Sequence, residues 1–91
     1  MTLGPVGQAL TRKLTQSFAP RSLEVIDESA MHAGHSGARP EGETHFRVNI
    51  VAEAFAGKSR VERHRMVNAA VAEELKTRVH ALAITAKAPE E

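Results

Sequence analysis

The chain has 91 residues with 12 Lys and Arg against 11 Asp and Glu, a net charge of +1 and no Cys. A chain of this length closes one modest core, which excludes a second domain, and Leu, Ile, Val and Phe at 20 of the 91 residues with so little net charge indicate a folded chain. Without Cys there can be no disulfide, no Cys-type zinc site and no self-held Cys₄ iron–sulfur cluster, so any metal chemistry must use His, Asp or Glu.

Over residues 5–18, Val6, Leu10, Leu14 and Phe18 recur at every fourth position with Arg12, Lys13 and Gln16 between them, the stripe of an amphipathic helix. Pro5 suits its first turn and Pro20 stops it. Residues 23–27 read as a short strand whose alternation is broken by adjacent Val25 and Ile26. Residues 30–43 hold Gly34, Gly37, Pro40 and Gly42 and almost no large apolar side chain, so they read as a long exposed loop, of a length that is uncommon and often functional. Residues 44–52 give the clearest strand, with Phe46, Val48 and Ile50 on the core face and His45, Arg47 and Asn49 toward solvent.

Ser59 stands three residues before Glu62, the spacing of a capping box, and opens a helix that runs to about Leu75 with Val67, Val71 and Leu75 as its stripe. Ala69, Ala70 and Ala72 should let a sheet come close to it. Residues 79–86 form the last strand, followed by a short acidic tail. The order is α-β-β-α-β in a single domain with its core over about residues 6–87, an α+β two-layer fold in which two helices cover one face of a three-stranded sheet. The first twenty residues lack the apolar run of a signal peptide, and nowhere do eighteen apolar residues follow one another, so the expected setting is cytoplasmic and away from the membrane.

Three features suggest chemistry. Gly57-Lys58-Ser59 resembles the end of a phosphate-binding loop, but the glycine required five residues earlier is Ala52, and the strand before the helix reads as the second arm of an antiparallel pair. Lys58, Arg60, Arg63, His64 and Arg65 form a basic cluster on the second helix. With balanced net charge and no Tyr or Trp for base stacking, a solvated face that steers an acidic protein partner is the plainer reading than nucleic acid. The third is histidine: His32 and His35 lie in the glycine-rich loop and His80 begins the last strand. Imidazole is a common metal ligand, yet two such nitrogens leave half of a four-coordinate site empty. The plain alternatives are a solvent-side His45, a partly buried His64, and a His80 packed on the face of Leu82 and Ile84. The chain has no Gly-x-Ser-x-Gly elbow and its acidic residues are scattered, which speaks against an enzyme acting on a small-molecule substrate.

The blocks GETHFRVNIV from Gly42, FAGKSRVERHRMV from Phe55 and AEELKTRVHALAI from Ala72 are similar to successive blocks of BolA-like proteins, a resemblance covering residues 6–89. It implies a class II KH-like fold of the order read above. It further implies a partnership with a monothiol glutaredoxin in which a [2Fe-2S] cluster is shared, the glutaredoxin and glutathione giving sulfur ligands and the BolA-like chain giving histidine. Two nitrogens replacing two sulfurs on one iron has precedent in Rieske centres. By motif, His80 in Val79-His80-Ala81-Leu82 matches the family's C-terminal ligand, and His32, three residues after Ser29, matches its variable His-or-Cys ligand, with His35 as the neighbouring alternative. The family also includes DNA-binding transcriptional regulators of stress response and cell morphology, which would use Arg60, Arg63 and Arg65. The Gly-x-x-Gly clamp of RNA-binding KH domains is replaced here by Gly57-Lys58-Ser59-Arg60.

Overall fold

The computed structural model describes residues 3–32 and 42–91. Helix α1 (Pro5–Phe18) is followed by strand β1 (Ser22–Asp27), a 3₁₀ turn (Ser29–His32), strand β2 (His45–Val51), a second 3₁₀ turn (Glu53–Phe55), helices α2 (Arg60–Ala70) and α3 (Ala72–Thr77), and strand β3 (Ala81–Lys87). The expected order is therefore observed, with the second helix divided in two. The strands form one mixed sheet in the order β1-β2-β3, β1 antiparallel and β3 parallel to the central β2.

The periodicities decide what is buried. Val6, Leu10 and Leu14 of α1 meet Phe46, Val48 and Ile50 of β2, Val67 of α2 and Val71 at its end in one cluster. Phe18, at the end of the α1 stripe, packs its ring 5.0 Å from that of Phe55. On the opposite face of the sheet Arg47 pairs with Glu28 at 3.0 Å, and Asn49 donates to Glu24 at 2.9 Å, the cross-strand polar pairing of a solvated face.

The expected single helix breaks at Val71, whose φ of −117° and ψ of 26° leave the helical region, yet its stripe passes through the break: Val67 and Val71 are fully buried and Leu75 packs against them. Of the alanines expected to admit a close approach, Ala70 is half-buried and packs against the core beside Val67, whereas Ala69 and Ala72 are exposed. Also, the strand before α2 is not only the second arm of an antiparallel pair. Its parallel pairing with β3 makes β2-α2-α3-β3 a βαβ unit, so the phosphate-loop reading fails on the missing glycine alone.

Two contacts outside the periodic pattern fix α1. The Glu43 carboxylate accepts from Gly7 N at 2.9 Å, serving the N-terminal end of the helix dipole, and it lies so close to Gly4 that a Cβ there would fall 2.5 Å from Glu43 Oε1. At the other end Ala19 adopts a left-handed conformation (φ 44°, ψ 56°) and its N–H donates to Thr15 O. That region costs a residue with a Cβ about 1–2 kcal/mol, which glycine avoids at some cost in unfolded-state entropy. Ala19→Gly is therefore expected to stabilise the fold by about 0.5–1 kcal/mol. A urea midpoint that stays put or falls would contradict this.

Candidate functional site

The imidazole site is assembled at the junction where the first 3₁₀ turn, β2 and β3 begin. Asp27 Oδ1 accepts from Ser29 N at 2.9 Å, turning the chain out of β1. The buried Ser29 hydroxyl then accepts from two successive backbone groups, Thr44 N at 2.8 Å and His45 N at 3.2 Å. Thr44 passes the connection on: its carbonyl accepts from His80 N at 2.8 Å and from Ala81 N at 3.2 Å. One residue thus ties the base of the histidine-bearing loop to the start of the last strand.

His80 does not pack on the face of Leu82 and Ile84. It precedes β3, whose pairing starts at Ala81, and its side chain is exposed. Val79, its neighbour, is 4% exposed and anchors the backbone just before it. The opposite correction applies to His45, which alternation assigns to solvent. It is only 7% exposed, its Nδ1 lies 2.8 Å from Thr44 Oγ1 in a hydrogen bond, and its ring centroid is 5.3 Å from that of His80 at a tilt of 52°. Sequence reasoning missed His45 because parity describes only the sheet, and this end of β2 is bonded to the 3₁₀ turn as well. His32 closes that turn, and His35 lies outside the described residues. Among the described residues no three His, Asp or Glu side chains come together as a metal-binding group.

The basic cluster lies at and just before the start of α2. The capping box is complete, Ser59 Oγ accepting from Glu62 N at 3.1 Å and Glu62 Oε1 from Ser59 N at 2.9 Å, so those N–H groups are already satisfied. The Ser59 N–H bonded to it holds the Glu62 carboxyl below the usual carboxylate range. Lys58, Arg60 and Arg65 project into solvent beside Val61, which is 59% exposed, while His64 is half-buried. Arg63 is turned inward. Its Nε donates to Lys58 O and its Nη1 to Ala86 O, each at 3.0 Å, and its two terminal nitrogens form a fork on the Glu91 carboxylate, with Nη2 to Oε2 at 2.6 Å. That fork, with a further bond from Ala88 N, holds the Glu91 carboxyl at about 2. Because the folded value is depressed, this contact contributes fully above the ordinary carboxylate value of 4.5 and fades as pH falls toward 2. A groove of about 440 Å³ runs beside it, lined by Lys58, Arg60, Arg63, His64 and Lys87.

An α+β chain of α-β-β-α-β order with a three-stranded mixed sheet has counterparts among known proteins. The chain belongs to the BolA-like protein family, which it matches over residues 14–91. It is 48% identical to BolA-like protein 1 of Homo sapiens over 87 residues, which cover 96% of this chain and 61% of that protein. It is 45% identical to SufE-like protein 1, chloroplastic/mitochondrial, of Arabidopsis thaliana over 95 residues, covering 100% of this chain and 26% of that protein. The chain thus spans about a quarter to three fifths of the length of these curated relatives. The solved BolA domain of SufE1 from Arabidopsis thaliana superimposes with a TM-score of 0.89 at 46% identity, covering 98% of each chain.

Proposed function

We propose that this chain is a non-catalytic adaptor in iron–sulfur cluster assembly and trafficking, working in the cytoplasm with a monothiol glutaredoxin. It shares a [2Fe-2S] cluster whose sulfur ligands come from the glutaredoxin and glutathione, and offers His80 and the loop histidine His32, with His35 as the alternative, from its own side. The observation that supports this best is the Thr44 junction, which bonds the turn ending at His32 to the backbone of an exposed His80. The donor set fits the cargo: neutral imidazole is a suitable nitrogen ligand, and in this reading the remaining positions on the iron are filled by the partner's sulfur ligands. Lys58, Arg60, Arg63, His64 and Arg65, at and just before the start of α2, are the docking surface in this reading, with Arg60 and Arg65 facing solvent.

The alternative, a DNA-binding transcriptional regulator, calls on the same cluster. It is the weaker reading because Arg63, one of its three arginines, is already bonded to Glu91. The two differ in their response to conditions. Phosphate contacts weaken steeply with salt, whereas a histidine-to-iron bond weakens as protons compete for the imidazole at falling pH.

The test is a titration of [2Fe-2S]-loaded monothiol glutaredoxin with this protein, followed by visible absorption and circular dichroism. The wild type is expected to change the cluster spectrum and His80→Ala to leave it unchanged, and the loop variant, His32→Ala or His35→Ala, that also fails identifies the second ligand. A wild type without effect on the spectrum would overturn the ligand assignment.

A further inference from the structure

The groove between α2 and β3 already contains a carboxylate, supplied by the chain itself. Residues 88–91 form a turn in which Glu91 N donates to Ala88 O at 3.1 Å and Ala88 N to Glu91 Oε1 at 3.1 Å, with Pro89 in the second position, where its fixed φ suits such a turn. The turn brings the Glu91 side chain onto the Arg63 guanidinium. Arg63 is itself held from two sides, by Lys58 O and Ala86 O, and its side chain is only 12% exposed against 41% for Glu91. Such a guanidinium is a preorganised receptor: its planar fork takes both oxygens of a carboxylate, and its order is maintained by the fold. Lys58, Arg60 and Lys87 around it give a field that attracts further negative charge, and His64 and Thr85 complete the wall.

We propose that this groove is a carboxylate-recognition site for an acidic segment of a protein partner, and that Glu91 occupies it as a tethered competitor which the partner must displace. The inference deepens the docking role assigned above to α2 and rests on that reading. A carboxylate is favoured over phosphate as the ligand because the occupant seen is a carboxylate in bidentate register, and because the capping box already uses two of the N–H groups at the start of α2, those of Ser59 and Glu62. A side chain tethered through a four-residue turn competes at an effective concentration on the order of millimolar, so a single partner carboxylate exchanges poorly and several adjacent ones exchange well. The site therefore selects for clustered acidic residues.

The experiment is fluorescence anisotropy of a labelled pentapeptide of four glutamates and one alanine, titrated with the full chain and its variants, alongside a labelled 20-base-pair DNA duplex. Glu91→Gln is expected to bind the peptide about tenfold more tightly than wild type, since the competitor is removed and the receptor is kept. Adding Arg63→Gln to Glu91→Gln should abolish that gain, and Arg63→Lys, which keeps the charge without the fork, should retain only part of it. The amide resonance of Ala88 should shift in Glu91→Gln while those of the core strands stay in place, which reports tail release in a folded protein. Equal peptide affinity for wild type and Glu91→Gln, or a gain that survives Arg63→Gln, would overturn the proposal. A larger gain for the duplex than for the peptide would make the partner a nucleic acid. The peptide assay involves no cluster, and His80→Ala should bind the peptide as wild type does. Failure of the cluster titration with success here thus leaves the groove standing, and the converse result removes the groove alone.

Discussion

Phe46→Ala is expected to destabilise the protein by about 3–5 kcal/mol, the range for removing a fully enclosed aromatic side chain. Phe46 is 2% exposed, sits on the central strand, and is held between Asp27 of β1 and Leu82 of β3 in the sheet register. Both neighbouring strands are hydrogen-bonded to β2, so neither can collapse into the void without breaking its ladder, and the cavity term adds to the lost transfer energy. For a domain of this size each kcal/mol moves the melting temperature by roughly 4–8 °C, so a fall of more than about 12 °C is expected. Thermal unfolding followed by far-ultraviolet circular dichroism decides it. A fall of only a few degrees would mean that the core closes over the gap and that the sheet is less rigid than its pairing indicates.

Ser29→Ala carries the second largest expected effect, and it reaches the imidazole site. One buried hydroxyl serves two backbone N–H groups, those of Thr44 and His45. Alanine removes the acceptor and leaves both donors in a place where water enters at a cost, about 2–3 kcal/mol in all. The loss should also loosen Thr44, whose carbonyl holds the His80 backbone, so the close approach of the His45 and His80 rings should weaken. Urea unfolding measures the first consequence, and nuclear Overhauser contacts between the two imidazoles measure the second. Ser29→Thr, which keeps the oxygen, should recover most of the stability. If Ser29→Ala costs no more than an exposed substitution, under about 0.5 kcal/mol, the network does not organise this junction.

The position of His80 shows how sequence pattern and structure divide the explanation. Alternation over residues 79–86 places His80 with Leu82 and Ile84, but pairing with β2 begins one residue later and the imidazole stands in solvent. His45 fails the same rule in the other direction. Strand parity assumes that the sheet is the only neighbour, and at this edge the turn beginning at Ser29 is a second one. The acidic tail reads in sequence only as a short segment after the last strand, whereas the Pro89 turn folds it back onto Arg63 and changes what the basic cluster offers a partner.

The element order, the α1 and α2 stripes, the capping box at Ser59, the core face of β2 and the family are legible in the residues alone, because these depend on local periodicity, on short-range hydrogen bonds or on contiguous motifs. Tertiary structure alone decided the parallel pairing of β3 with β2, the kink at Val71, the Glu43 contact with Gly7, the Ser29–Thr44–His80 junction and the Glu91–Arg63 fork. Each of these joins residues far apart in the chain, or bends an element to meet a partner outside it, and no periodicity within a segment records the position of a neighbour that arrives from elsewhere in the fold.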